Sequence, residues 1–162
     1  MGEKISLDGM NVRGNLAKVS LDYPLSAGQF TSDFLRLLTQ NRVNMSLLIT
    51  EEWQERGDTT CCVPGADVEN IRGYMSSSPE LKRLTEFVEP VALVSIFPHR
   101  SNMRSLGLTL VAFARTNIFL YGFCSSLSAV TFMIDHNQLE EAFTALESFF
   151  DFPGERTRKP QT

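Results

Sequence analysis

Residues 101 to 108, SNMRSLGL, put a guanidinium (Arg104), a hydroxyl (Ser105) and a glycine (Gly107) between two apolar runs, Val91 to Phe97 and Leu108 to Ala114. These types suit an anion. A guanidinium clamps carboxylate or phosphate, a glycine lets a ligand approach the backbone, and a helix opening here would offer outward N–H groups. A solvated loop arginine is the plain alternative for Arg104. Elsewhere the chemistry is sparse. His99 and His136 have no carboxylate or cysteine at ligand spacing, so no metal is expected. Cys61 and Cys62 are adjacent; on a strand they would face opposite sides, which suits core packing of one of them better than chelation. Ser125-Ser126 lack the G-x-S-x-G elbow and a matching His and Asp, so they form no nucleophile set. Trp53, in EEWQERGD, reads as an interface anchor or as cover for a sheet edge. No cofactor is expected.

The elements that must position these groups fit a chain of 162 residues, enough for one compact domain or two small ones sharing a core. With 43% hydrophobic and 21% charged residues and a formal charge of -4, the composition is that of an ordinary globular protein and lacks the basic footprint of a nucleic-acid binder. The basic segment ERTRKP, Glu155 to Pro160, reads as a frayed tail. No apolar run reaches the roughly 18 residues that span a bilayer, and MGEKISLDG lacks a signal-peptide core. The expected location is cytoplasmic, with no membrane or nucleic-acid partner. Three cysteines without a secretion signal argue against a disulfide framework.

Along the chain, Ile5, Leu7, Met10 and Val12 lead through Gly14-Asn15 into Leu16, Val19 and Leu21, a pattern that predicts two strands joined by a hairpin turn. After YPLSAG (23 to 28), Phe30, Phe34, Leu37 and Leu38 form a helical stripe that Asn41 ends. VNMSLLIT (43 to 50) reads as a strand, EEWQERGD as an exposed turn and TTCCV (59 to 63) as a second strand. Asp67 caps a short helix burying Val68, Ile71 and Met75, which SSSP (76 to 79) breaks. The stretch after it fits a helix from Ser78-Pro79 and equally a strand at LTEFV, 84 to 88. The order then recurs: strand VALVSIF (91 to 97), turn SNMRSLGL, helix LTLVAFAR (108 to 115), strands NIFLYGF (117 to 123) and AVTFMID (129 to 135), and a helix with Leu139, Phe143, Leu146 and Phe150 on one face. AKVSL (17 to 21) and ALVSI (92 to 96) occupy corresponding places.

A repeated strand-helix-strand-strand-helix unit gives an α+β fold: two ferredoxin-like βαββαβ units in tandem, with antiparallel sheets and the helices on one face. The first unit is expected over 5–90, with strand 5–13 free to join the second unit's sheet, the second over 91–152, and 153–162 as a disordered tail.

In this order the text resembles the paired ACT domains at the C-terminal end of aspartokinases. The family's D-x-P-G turn and I-N-V-D-M-I strand have counterparts in DYPLSAG and RVNMSLLI, and its D-I-S-F-T-V-P-x-x-D-L-E in DTTCCVPGADVE (58 to 69). In the second unit, VSIF, NMRSLG, CSSLSAVTFMID and ALESFF stand in the family's places. The resemblance spans roughly residues 5 to 150. With no room beside the pair for the family's catalytic domain, the expectation is a free-standing regulatory module or an excised fragment that is not itself an enzyme.

The resemblance implies a small amino acid, of the lysine or threonine class, bound at the turn between first strand and first helix. Its candidate residues are Ser26, Ala27 and Gly28 in the first unit and Asn102, Met103, Arg104, Ser105 and Gly107 in the second, with Ser125 and Ser126 lining the second site. The family's strand aspartate aligns with Ser46 in the first unit and near Tyr121 in the second, neither able to anchor an ammonium by charge; the family's Gln-Asn pair becomes Thr50-Glu51. Two readings follow. One is an allosteric amino-acid sensor that signals through dimer or domain packing, with a homodimer as the expected assembly. The other is a ligand-free dimerisation module docking on a separate enzyme. A small enzyme on this fold stands third, with no acid-base pair to carry it.

Overall fold

The computed structural model describes residues 4–27, 29–98 and 103–152. The chain divides into two compact units, Asn15–Pro90 and a second formed by the residues up to Gly14 together with those from Val91 onward. Two long strands, β1 (Ile5–Pro24) and β4 (Thr85–Pro98), each contribute one part to either unit.

In the Asn15–Pro90 unit the second part of β1 leads to α1 (Phe30–Gln40), β2 (Leu47–Trp53), β3 (Arg56–Pro64), α2 (Val68–Met75), α3 (Pro79–Leu84) and the start of β4. The strand order is β2-β3-β1-β4, and β3 pairs antiparallel with both neighbours. Alternation along β1 sends Ala17, Val19, Leu21 and Tyr23 to one face, where Phe34 and Leu38 of α1 and Val68, Ile71 and Met75 of α2 close the core. The stripe of α1 and the buried trio of α2 are those the sequence spacing predicts. The helix α1 stops where expected: the Asn41 side chain donates to the Leu37 carbonyl at 2.8 Å, and Arg42 takes a positive φ of 56°.

The other unit comprises the remainder of β4, α4 (Met103–Arg115), β5 (Leu120–Ser125), β6 (Val130–Asp135), α5 (Leu139–Glu147), the short β7 (Phe150–Asp151) and the start of β1. Its order is β1-β4-β6-β5, with β7 parallel to β1. Ala92, Val94 and Ile96 of β4 and Val130, Phe132 and Ile134 of β6 face Ala112 and Phe113 of α4 and Ala142 and Leu146 of α5. The fold is thus the tandem of ferredoxin-like βαββαβ units expected from the repeat.

Five local expectations need correction. Gly14-Asn15 makes no hairpin: β1 runs through it, with Asn15 alone at φ 56° where the strand passes from one unit to the other. The first central strand is shifted, starting at Leu47 and continuing to Trp53, because cross-strand pairing holds as far as Trp53 opposite Arg56 and only Gln54 and Glu55 turn. Asp67 does not cap α2 with its side chain; it closes a short 3-10 turn in helical conformation. Residues 103 to 107 are not turn but the first turns of α4, held by Leu106, Leu108 and Leu110 against the core and by the Thr109 hydroxyl donating to the Ser105 carbonyl. Phe150 leaves the helical face for β7, opposite Ile5. The ambiguous stretch after SSSP resolves as both elements in turn, α3 and then β4. The tail from 153 lies outside the described residues.

Candidate functional site

Each unit has one end where a strand delivers the chain into a helix. In the Asn15–Pro90 unit, β1 ends at Pro24 and a 3-10 turn, Leu25–Ala27, leads to α1. Ser26 is exposed in that turn with Ala27 after it; Gly28 lies outside the described residues. The register puts Pro24 opposite Arg56 and Arg56 opposite Trp53. Ser46 is elsewhere: its backbone N–H donates to the Cys62 carbonyl at 2.8 Å, six residues along β3 from Arg56, or about 20 Å at the usual strand rise. Ser26 and Ser46 therefore do not converge.

Three hydroxyls that sequence reasoning missed meet near the start of α1. Thr31, the second residue of that helix, donates to the Tyr23 hydroxyl at 2.6 Å and lies 2.8 Å from Thr59 Oγ1, while Tyr23 and Thr59 are 3.5 Å apart. The tyrosine ring occupies this end of the sheet because Gly57 yields the room. A Cβ at position 57 would stand 2.5 Å from Tyr23 Cε2 and Cζ. No local motif signals this cluster, since Tyr23 and Thr59 are 36 residues apart.

In the other unit α4 starts beyond the C-terminal end of β4. Asn102 lies outside the described residues, as does His99. Met103 and Arg104 are exposed on the first turn, Ser105 is fully buried, and Gly107 is exposed with nothing within 4 Å of where a Cβ would stand. Among the described residues, Ser105 Oγ is the buried side-chain polar atom that has no hydrogen-bond partner. Such an atom carries a desolvation cost of about 1–3 kcal/mol unless something bonds it.

Ser125 belongs to the same end of the sheet, being opposite Val130, which is opposite Ile96 near the end of β4. Ser126 is committed to the β5–β6 turn: its hydroxyl accepts from the Ala129 N–H at 3.1 Å, and its own N–H donates to the Ala129 carbonyl at 2.8 Å. Tyr121 is remote from both. It is the extra residue of a bulge between Leu120 and Gly122, level with Ile134 and Ala92, and so about 13 Å along β5 from Ser125. Burial, and secondarily the Asp135 carboxylate, raise its phenol above the ordinary range. A neutral phenol can donate a hydrogen bond but offers no charge to an ammonium. Cys61 and Cys62 are both buried, and burial with the neighbouring thiol pushes Cys61 up to about 12. Among the described residues no three His, Cys, Asp or Glu side chains gather as a metal cage, and no helix is long and apolar enough to cross a membrane.

The architecture of these two units recurs in solved structures. No family model and no curated protein matches the sequence. The regulatory subunit of aspartate kinase from Thermus thermophilus, in its ligand-free form, superposes with a TM-score of 0.76 at 15% identity, over 90% of this chain and 99% of that one. Aspartokinase alpha and beta subunits give 0.76 at 16% identity over 88% and 97%. Aspartate kinase from Synechocystis gives 0.71 at 20% identity, with 92% of this chain matching 28% of that one. The chain thus has the fold of an aspartate kinase regulatory region, resembling its tandem ACT domains along nearly its whole length.

Proposed function

We propose that this protein is an ACT-type regulatory module that binds a small amino acid at the α4 end of its second unit and signals through the packing of a dimer or of its domains. The observation that carries this reading is the contrast between the two strand-to-helix ends. Near α1, the hydroxyls of Tyr23, Thr31 and Thr59 satisfy one another and Tyr23 fills the space over Gly57. At α4, Ser105 Oγ has no bond among the described residues, Gly107 leaves its surroundings open, and Ser125 stands at the same end of the sheet.

The first turn of a thirteen-residue helix supplies backbone N–H groups and a partial positive charge suited to the ligand's carboxylate. The exposed Arg104 adds a cation on that turn. Ser105 is covered, so binding must shift the first turn of α4, and a shift of packed helix is a two-state element of the kind allostery requires. Support for the ligand class comes from the structural neighbours, among them an E. coli aspartokinase III solved with lysine and aspartate; by resemblance the amino acid is of the lysine or threonine class. The test is thermal unfolding with each of the twenty amino acids at millimolar concentration. One of them raises the melting temperature, and Ser105→Ala weakens that rise; no shift with any would overturn the reading.

The alternative, a ligand-free module that docks on a partner enzyme, draws support from the α1 end, where the protein's own side chains fill the place a ligand would take.

A further inference from the structure

We propose that Trp53 and Glu51, on the sheet face turned away from α1 and α2, form a docking surface for an arginine-bearing segment of another protein. The surface belongs to the Asn15–Pro90 unit, so it stands whether or not the other unit binds an amino acid. In this unit Ala17, Val19, Leu21 and Tyr23 of β1 face the helices, which leaves Asp22 and Pro24 on the opposite face. The register sets Asp22 opposite Asp58 and Asp58 opposite Glu51; in the next row Pro24 is opposite Arg56 and Arg56 opposite Trp53. Three carboxylates therefore stand in one row across β1, β3 and β2.

Like charges directly opposite each other on neighbouring strands are destabilising. The arginine beside this row serves only one end of it: Arg56 Nε donates to Asp22 Oδ1 at 2.8 Å. Asp58 accepts from the Thr60 hydroxyl at 2.9 Å, and among the described residues no Lys or Arg pairs with Glu51. Two positions along β2 on the same face, Trp53 is 77% exposed.

A ring beside carboxylates is a place for a guanidinium, which stacks on the ring and forks onto the oxygens. The same unit shows that arrangement satisfied within the chain. Arg72 lies over the Phe87 ring at 4.2 Å from its centroid, with Glu69 at 3.4 Å and Glu89 at 3.9 Å. At Trp53 the ring and the carboxylates are present, while Arg56 is turned to Asp22.

Charge selects the occupant. Phosphates of a nucleic acid or of an anionic membrane would meet the carboxylate row with like charge. A second copy presenting the same face would set one acidic row against another. A basic segment of a different protein is complementary, with Trp53 as the apolar anchor of the kind that dominates interfaces.

The test uses a fluorescein-labelled hexapeptide, Arg-Ala-Arg-Ala-Arg-Ala, titrated by anisotropy against the unaltered chain at about 150 mM salt, where distant charges are screened. Binding should saturate and change the emission of Trp53, the chain's one tryptophan. Glu51→Lys and Trp53→Ala, each checked for folding by circular dichroism, should raise the dissociation constant by about 10-fold or more. Glu80→Lys, exposed on α3 on the helix side of the sheet, should leave it unchanged. Glu51→Gln should weaken binding and raise the melting temperature of the free chain by about 1–3 °C, because it relieves the repulsion in the row. No saturable binding, an unmoved Trp53 emission, folded Glu51→Lys and Trp53→Ala that bind as the parent does, or equal weakening by Glu80→Lys would overturn the proposal. Equal affinity for the lysine version of the peptide would overturn the choice of arginine.

Discussion

Replacing Gly57 with alanine probes the packing that closes the α1 end. The new Cβ would stand 2.5 Å from Tyr23 Cε2 and Cζ and 2.7 Å from its hydroxyl, inside any real contact distance. Tyr23 cannot swing aside freely: it is 5% exposed, in the core, and bonded to Thr31 at 2.6 Å. Overpacking costs about 1–3 kcal/mol, and displacing the hydroxyl from its network adds about 1 kcal/mol. A total of about 2–4 kcal/mol lowers the melting temperature of a domain this size by roughly 5–15 °C. The assay is reversible urea or thermal unfolding of Gly57→Ala, Tyr23→Leu and the double variant. Leucine removes the ring that the methyl strikes, so the double variant should be less destabilised than the sum of the single ones, a coupling of about 1–2 kcal/mol. A Gly57→Ala protein within about 0.5 kcal/mol of the parent, or strict additivity, would refute the close packing of Tyr23 over Gly57.

Three further outcomes follow from the same packing. Gly107→Ala, in a helix interior with open space around it, should raise stability by about 1 kcal/mol in a thermal melt, because alanine loses less backbone entropy in a helix. Phe34→Ala, fully buried under β1 and β3, should cost about 3–5 kcal/mol in urea unfolding. Cys61 gives a pH dependence. Its folded thiol is raised from 9.0 to about 12, so the folded chain keeps the proton that the unfolded chain loses. Its contribution is fully present below pH 9 and falls through the window from pH 9 to 12, with a slope approaching about 1.4 kcal/mol per pH unit. Stability measured against pH should show that fall, and Cys61→Ala should flatten it.

What the sequence disclosed, and what it hid, follows from the range of the forces involved. The stripe of α1 and the trio Val68, Ile71 and Met75 are local periodicities imposed by one buried face, and they read directly. The repeat of strands and helices disclosed the two units for the same reason. Gly14-Asn15 misled because its positive φ is genuine, yet a positive φ makes a hairpin only when the flanking strands pair with each other. Here Leu16 pairs with Pro64, 48 residues away, and β1 runs straight on. The start of α4 was hidden because Met103 to Gly107 carry a polar, glycine-containing text, while its place is settled by Leu106 and Leu108 against a distant core. At the candidate site, the order of elements along the chain places Ser26 and Met103 to Gly107 between a strand and a helical stripe, but does not show that α4 already starts at Met103. Tyr121 and Ser46 stand in the family's aspartate positions by resemblance only, whereas their distance from the helix starts is a matter of register and of a one-residue bulge, which single-chain text does not encode. The Tyr23, Thr31 and Thr59 cluster was invisible for the same reason.

In the proposed arrangement one amino-acid site per chain lies at the α4 end, while the α1 end is closed by its own side chains. Isothermal titration of the amino acid that raises the melting temperature, run on the unaltered chain, on Ser105→Ala and on Thr31→Val, tests it most directly. The expected result is one ligand per chain, bound more weakly by Ser105→Ala and equally well by Thr31→Val. Two ligands per chain, or binding abolished by Thr31→Val and indifferent to Ser105→Ala, would contradict it.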